Sequence, residues 1–309
     1  DATSGAAERP PFVFAEAIEL CLPVRPPYDW GAIRAFLAKR AIPGVEATDP
    51  AAAYARTVSV AGRHGLLTVA PGADGLRVTL RGVEAGHAEA VAGRLRRLFD
   101  CDTDPGAVAA CLAGDPILAP LVAARPGLRL PGAWDPFETG CRAILGAQVS
   151  VAAAIGLAGK LVAAFGTPLA EPSGGLTHVF PAPADLVEAD VARALNMPRA
   201  RGAAIRALAA AALADPDLFA PAESLEAALL RFTAIRGIGP WTAQYIAMRA
   251  LKLPDALPVG DVGLLRALET GTGRPSPAEL LARAEAWRPF RAYAAQHLWA
   301  ADEAAVTGR

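Results

Sequence analysis

The sequence is poor in the side chains most often recruited for covalent or metal chemistry. Only Lys39, Lys160 and Lys252 are lysines among 30 basic residues, which leaves few candidates for Schiff-base chemistry. The four cysteines, Cys21, Cys101, Cys111 and Cys141, have no C-x-x-C spacing and no neighbouring histidine. Neither a zinc site nor an iron–sulfur cluster is indicated, and reduced core thiols are expected. His64, His87, His178 and His297 are dispersed along the chain without a nucleophile-elbow pattern, so nothing calls for a catalytic triad. No uncharged apolar run of about 18 residues exists, and the polar opening lacks a signal-peptide core, so a cytoplasmic protein is expected. The chain opens on Asp1 instead of methionine, as a processed chain or a piece of a longer one would.

What is present is an ordinary globular composition. With 309 residues, 53% of them hydrophobic, the chain can bury a substantial core, and its length suggests two or three domains. A net charge of −1 gives no support to nucleic-acid binding when the molecule is taken as one number. Locally the picture differs. Residues 231–254 carry Arg231, Arg236, Arg249 and Lys252 and no acid, and residues 191–214 carry Arg193, Arg199, Arg201 and Arg206 and no acid. Solvated helix faces explain such stretches, and so does a backbone-binding surface.

Periodicity divides the chain near residue 103. Residues 12–20 alternate as a strand would, and Asp29 caps a helix carrying Trp30, Ile33, Phe36 and Leu37. Strand-like runs at 54–61, 65–70 and 76–81 follow, then an amphipathic helix at 84–99. The expected fold class is α+β: an N-terminal antiparallel-sheet domain (10–103) followed by an all-α region (104–305) of two helical subdomains with a cleft between them. Helices are expected at 105–113, 116–124, 136–145, 149–165, 183–195, 199–212, 224–234, 240–251, 262–270, 277–286 and 289–299, several opening on proline after Asp, Ser or Gly. Residues 167–175, with two prolines, read as a long loop.

The chemistry concentrates in residues 235–245, Ile-Arg-Gly-Ile-Gly-Pro-Trp-Thr-Ala-Gln-Tyr. Gly237 and Gly239 flank one apolar residue, and Pro240 opens a helix, which together read as a tight helix-to-helix turn. Free amides at such a turn form a phosphate seat. Trp241 and Tyr245, four residues apart, share a face of the outgoing helix, while Ala243, Ile246, Ala247, Ala250 and Leu251 mark a core-facing stripe. Such a pair ordinarily packs in a core; beside a phosphate seat it can also hold an unstacked base. Asp261 is placed to cap the helix starting at Val262, and the positive end of that helix dipole suits a carboxylate that stabilises a developing sugar cation.

The hairpin followed by Pro258-x-x-Asp261 resembles the helix-hairpin-helix signature of the base-excision DNA glycosylase superfamily. More narrowly, the chain resembles the 3-methyladenine DNA glycosylase II (alkylpurine glycosylase) family from about Phe12 onward. The resemblance rests on residues 26–30 (Pro-Pro-Tyr-Asp-Trp), 97–100, 125–132, 142–151 (Arg-Ala-Ile-Leu-Gly-Ala-Gln-Val-Ser-Val), the hairpin, and 287–299. It implies that Asp261 is the catalytic carboxylate and that Trp241, Tyr245, Trp299 and Phe36 line the pocket for a flipped base. It places Gln148 as the side chain that wedges into the duplex, with Gly237, Gly239, Arg236 and Thr242 in the DNA-binding hairpin. It implies no cofactor and no side-chain metal site, with a monovalent ion on hairpin carbonyls as a family tendency. The implied partner is duplex DNA containing alkylated bases, bound by a monomer without membrane or nucleotide cofactor. Two departures stand out: Val262 replaces an aromatic neighbour of the catalytic Asp, and Ala147 precedes the wedge where Gln is common.

The activity implied is monofunctional hydrolysis of N-glycosidic bonds at alkylated purines such as 3-methyladenine and 7-methylguanine. A bifunctional glycosylase/lyase would carry a lysine in the hairpin helix; the matching position is Trp241, and Lys252 reads as a solvated charge at the end of its helix. A non-catalytic helix-hairpin-helix DNA-binding module needs neither Asp261 nor the aromatic set. The lone Gly237-x-Gly239 after a helix does not support a dinucleotide fold.

Overall fold

The computed structural model describes residues 17–49, 53–271 and 273–307. The N-terminal part is one antiparallel sheet of five strands: β1 (Ile18–Leu22), β2 (Glu46–Thr48), β3 (Tyr54–Val60), β4 (Arg63–Gly72) and β5 (Gly75–Arg81), in the order β1-β5-β4-β3-β2. The expected strand at 12–20 begins at Ile18; residues 12–16 lie outside the described residues. Alternation fixes the register: Leu76, Val78 and Leu80 of β5 all point into the core, and a one-residue slip would expose all three. Against that face pack α1 (Trp30–Lys39), through Ile33 and Leu37, and α2 (Ala88–Leu98), through Val91, Leu95 and Leu98. Asp29 caps α1 as expected, accepting a hydrogen bond from the Ala32 amide at 2.8 Å. The short β2 has too little alternation to be found by pattern alone.

The remainder is helical: α3 (Pro105–Leu112), α4 (Leu118–Ala124), α5 (Pro136–Gly146), α6 (Val151–Phe165), α7 (Pro183–Leu186), α8 (Val191–Leu195), α9 (Arg199–Ala214), α10 (Leu225–Thr233), α11 (Pro240–Arg249), α12 (Val262–Ala267), α13 (Pro277–Ala284) and α14 (Arg291–Thr307). The helix expected at 183–195 is two short helices, broken before Asp190, which caps α8 through the Arg193 amide. Proline at N1 after Asp104, Asp135, Gly239 and Ser276 starts four of these helices. None is long and apolar enough to cross a membrane among the described residues.

One expectation fails outright. Residues 167–175 are not a loop: β6 (Thr167–Ser173) and β7 (Leu176–Val179) form a hairpin with a register shift between Pro168 and Ser173. Prolines are tolerated there because the strand is at an edge and irregular. Leu169, Leu176 and Val179 pack with Leu66 of β4, and the amides of Thr177 and His178 donate to Gly44 O, tying the helical part to the sheet. A buried ionic network adds to the joint: Arg56 donates to Glu138 at 2.7 Å, Arg142 bonds Glu138 and Glu46, and the Tyr54 hydroxyl donates to Glu46 at 2.6 Å. Burial alone would raise the Glu138 carboxyl, but the two guanidiniums hold it below its usual range.

Two hydrophobic clusters share the helical part. One gathers α5, α6, α8, α9, α10 and α11; the other gathers α3, α4, α11, α12, α13 and α14. Helix α11 serves both, giving Ala243, Ile246 and its C-cap Ala250 to the first and Ala247 and Met248 to the second. Its third face carries Trp241, Tyr245 and Arg249. The expected core stripe of this helix is therefore observed, and divided between two cores.

Candidate active site

Asp261 is the half-buried N-cap of α12, its Oδ1 accepting the Leu264 amide at 3.1 Å. Two indoles reach it from other elements. Trp299 of α14 donates Nε1–H to Oδ1 at 2.8 Å, and Trp241 of α11 donates Nε1–H to Oδ2 at 3.2 Å. Both carboxylate oxygens thus accept from indole donors that do not deprotonate. Gly263, not singled out by sequence, permits this approach. A Cβ there would lie 3.1 Å from Asp261 Oδ1 and 3.2 Å from Trp299 Cδ1.

The aromatic set assembles around the same point. The rings of Trp241 and Tyr245 stack at 5.3 Å with 13° between planes, an arrangement that their i, i+4 spacing on α11 allows. Arg249, one turn further on, ties the other two aromatics to this row. Its Cζ lies 5.6 Å from the Tyr245 ring centroid, 5.4 Å from Trp299 and 4.7 Å from Phe36 of α1. Arg40 covers Phe36 at 3.9 Å and is tied to Glu303 of α14. Phe36 and Trp299 also border a cleft of about 400 Å³ between α1 and α14, which brings a side chain of α1 next to one of α14. Val262 is 57% exposed and adds no wall.

The hairpin lies at one end of α11. Gly237 has φ +90, and a Cβ there would meet the Cβ of Ala204 on α9 at 2.6 Å, so glycine is required twice over, for conformation and for contact. The amides of Gly239, Trp241 and Thr242 precede the first helical bond, which runs from Ala243 N to Gly239 O. They form a helix N-terminus open to an anion. Arg236 is exposed beside it. Thr242 is only 6% exposed, which leaves its amide and not its side chain to serve the seat. Among the described residues the carbonyls of Arg236, Gly237 and Ile238 accept no backbone hydrogen bond, an all-oxygen set that could hold a hard monovalent cation.

Gln148 occupies the exposed loop between α5 and α6 in the left-handed region, with φ 60, a conformation uncommon for a residue with a Cβ. Arg201 of α9 holds that loop by donating to Ala147 O at 2.8 Å.

The basic stretches are less free than their sequence suggests. Arg231 donates to Leu218 O and Ala220 O, and Arg206 to Val187 O, while Arg193, Arg199 and Arg236 remain exposed. Lys252 is not a solvated charge: its ammonium donates to Asp100 at 2.9 Å and to Leu130 O at 2.6 Å. Burial pushes that ammonium down from its ordinary range, against the pull of Asp100. A lysine committed in this way is no nucleophile for the pocket. Of the cysteines, Cys101 and Cys141 are buried thiols, whereas Cys21 is exposed and Cys111 half-buried, contrary to the expectation of four core thiols. Among the described residues no group of three or more His, Cys, Asp or Glu side chains is placed to hold a metal ion.

Comparison with known proteins follows the same lines. Residues 19–135 match the AlkA N-terminal domain family. The chain is 38% identical over 282 residues to "DNA-3-methyladenine glycosylase 2" of Escherichia coli, covering 89% of this chain and 94% of that one. It is 40% identical over 287 residues to the "Probable bifunctional transcriptional activator/DNA repair enzyme AlkA" of Mycobacterium tuberculosis, covering 92% of this chain but 57% of that protein's length. Among solved structures, the 3-methyladenine DNA glycosylase of Archaeoglobus fulgidus superimposes with a TM-score of 0.77 at 23% identity, covering 94% of this chain and 98% of that one, a likeness of fold.

Proposed function

Because the chain belongs to the DNA-3-methyladenine glycosylase family, we propose that it is a monofunctional glycosylase that hydrolyses the N-glycosidic bond of alkylated purines in duplex DNA, as a step of base-excision repair. The observation that carries this reading is the Asp261 carboxylate, held by the indole N–H groups of Trp241 and Trp299 at the edge of an aromatic group that can receive a flipped base. A binding module has no use for such a carboxylate, and a lyase would require an amine where Trp241 stands.

Alkylation at N3 or N7 leaves the purine cationic and already a good leaving group, so no general acid is needed. The C1′–N bond breaks with its electron pair passing to the base; water adds at C1′ and loses a proton to solvent. Asp261 supplies negative charge beside the oxocarbenium-like sugar, as carboxylates do in glycoside hydrolysis. Stacking on Trp241 and Trp299 favours an electron-poor base by roughly 0.5–2 kcal/mol per cation–π contact. The hairpin amides at Gly239, Trp241 and Thr242, with Arg236, grip the DNA backbone. Bound on the Arg236, Gly237 and Ile238 carbonyls, a monovalent cation would add positive charge facing that backbone. Gln148, presented by a loop that Arg201 braces, fills the space the base leaves. In this reading the unit spanning 10–103 contributes Phe36 and the unit spanning 104–305 the rest, in a monomer.

The test is single-turnover release of methylated purines from dimethyl-sulfate-treated duplex DNA. Asp261→Asn is expected to lose roughly 10²–10³ in rate, the scale of an electrostatic stabiliser in a dry site, while still retarding DNA on a gel. Near wild-type release by Asp261→Asn refutes the assignment. Retardation without any release by the wild type would instead favour the non-catalytic module, and a borohydride-trapped protein–DNA adduct the lyase.

A further inference from the structure

Arg249 is an anomaly in a pocket meant for cationic bases. It is 3% exposed, and its fork is held by Pro131 O and Gln296 Oε1, both at 2.9 Å. Both acceptors are neutral. No carboxylate lies within ion-pair distance of it among the described residues; Asp100, which acts on it from further away, is committed to Lys252, and the Arg249 Nε has no hydrogen-bond partner. Around it stand the faces of Phe36, Tyr245 and Trp299, with centroids 4.7–5.6 Å from Cζ. Burial depresses the guanidinium from its ordinary range and nearby Arg40 adds to that, while the Tyr245 side chain and, less strongly, Asp100 oppose it; an arginine still remains charged at neutral pH. Burying a charge with no carboxylate in contact is costly, and here that cost is met by neutral acceptors and aromatic faces beside the Asp261 site.

The aromatic rings link this charge to the carboxylate. Trp299 contacts Arg249 through its face and Asp261 through its Nε1–H. Tyr245 contacts Arg249 and stacks on Trp241, which donates to the other carboxylate oxygen. The aromatic group thus has a buried cation on one side and a carboxylate on the other.

We propose that Arg249 is a positioning residue for charge: acting through the aromatic rings, it drives the electron pair of the breaking C1′–N bond into the base, while Asp261 receives the positive charge that appears on the sugar. The proposal rests on the glycosylase reading above. In the ground state an alkylated purine bears the positive charge and is repelled by Arg249. As the bond breaks, the base moves toward neutrality and the charge passes to the sugar beside Asp261, which relieves the repulsion. Arg249 therefore binds the substrate less well than the transition state, the condition under which an interaction raises rate instead of affinity. For a neutral purine such as hypoxanthine the base gains negative charge instead, and the same guanidinium stabilises it without any ground-state repulsion.

This gives a signature that a structural role does not share. In single-turnover excision of 7-methylguanine from a duplex oligonucleotide, Arg249→Met is expected to lower the rate constant on the order of tenfold. It should also lower the half-saturating enzyme concentration severalfold, because the repulsion is gone. With hypoxanthine in the same duplex the rate constant should fall similarly while half-saturation stays unchanged. A mere packing defect slows excision and weakens binding together. Arg249→Lys keeps the charge and loses the fork, and is expected to stay within about threefold of the wild-type rate constant on 7-methylguanine. An unchanged rate in Arg249→Met, a raised half-saturation for 7-methylguanine, or a tenfold slower Arg249→Lys overturns the proposal. If Arg249→Met does not fold, Arg249→Lys alone decides. Failure of the wild type to release 7-methylguanine at all would overturn the glycosylase reading itself, a result distinct from any of these.

Discussion

Replacing Trp299 by Phe removes one hydrogen bond from Asp261 and leaves an aromatic face in the pocket. The bond lost is the 2.8 Å donation to Oδ1. Hydrogen bonds to charged groups contribute about 1.5–3 kcal/mol, and a half-buried carboxylate belongs at the lower end, so about 1.5 kcal/mol is at stake. The loss falls on orientation: Oδ1 would retain only the Leu264 amide at 3.1 Å. If all of it is expressed in the transition state, the single-turnover rate falls about tenfold. Trp241→Phe removes the longer 3.2 Å bond to Oδ2, at the outer limit of good geometry, and should cost only a few-fold. The order is the sharper test, since both substitutions exchange the same two side chains.

Excision of 7-methylguanine from a defined duplex, measured with enzyme in excess, separates these cases. In an Asp261→Ala background neither Phe substitution has a carboxylate left to misplace, and the residual rate should fall no further. The reasoning is refuted if Trp241→Phe is slower than Trp299→Phe, or if Trp299→Phe costs its full tenfold when Asp261 is absent. In the latter event the indoles act as pocket walls and their N–H groups are incidental.

Two further predictions follow from the same packing. Gly263→Ala places a methyl 3.1 Å from Asp261 Oδ1 and 3.2 Å from Trp299 Cδ1, so the indole must give by a few tenths of an ångström. Excision should fall while the melting temperature holds or rises, because alanine is favoured over glycine in a helix by about 1 kcal/mol; a normal rate would mean that the Trp299–Asp261 contact tolerates displacement. His297 is buried, and burial, aided by the charge of Arg125, lowers its pKa to about 4. A depressed histidine stays neutral in the fold while the unfolded chain takes up a proton near pH 6.5, so its stabilising contribution is full above pH 6.5 and is lost as pH falls towards 4. Between pH 7 and pH 5 the loss is about 2 kcal/mol, readable as a drop in urea midpoint that His297→Gln should flatten. The carboxylates held low by arginines, Asp115 and Glu138, lose their contribution at lower pH.

Much of this was legible in the sequence, for identifiable reasons. Strong alternation in 76–81 and proline after a capping residue announce β5, α3, α5, α11 and α13. The stacked pair was legible because four residues is one helical turn, and the cap at Asp261 because a short carboxylate before a helix accepts from its first amides. The β6–β7 hairpin was not legible, since prolines and glycines mask an edge strand held largely by its neighbours. Lys252 and Arg249 were misread together. Their stretch lacks acids, and sequence cannot show that the partners are Asp100, 152 residues away, and Pro131 O, 118 residues away. Arg249 nevertheless left a trace: it continues the Trp241, Tyr245 row at i, i+4, i+8, a placement inside the pocket and not on the basic surface.

That row also explains how a site with few polar groups can stay rigid. The two core-facing sides of α11 are lined mainly by small residues, Ala243, Ala247 and Ala250, with Ile246 and Met248, all 8% exposed or less. Small side chains bring the neighbouring helices close, so turning α11 by even part of a residue would open two cores at once, each vacated methylene costing about 1 kcal/mol. Trp241, Tyr245 and Arg249 are therefore fixed by contacts on the far sides of their own helix. No equivalent clamp exists at Val262, which stands exposed beside Asp261. The pocket is rigid where it must align carboxylate, base and guanidinium, and open on the side of α12. Under the proposed function, a bulkier base is expected to be taken up on that side, beside Val262, without moving the groups that carry charge.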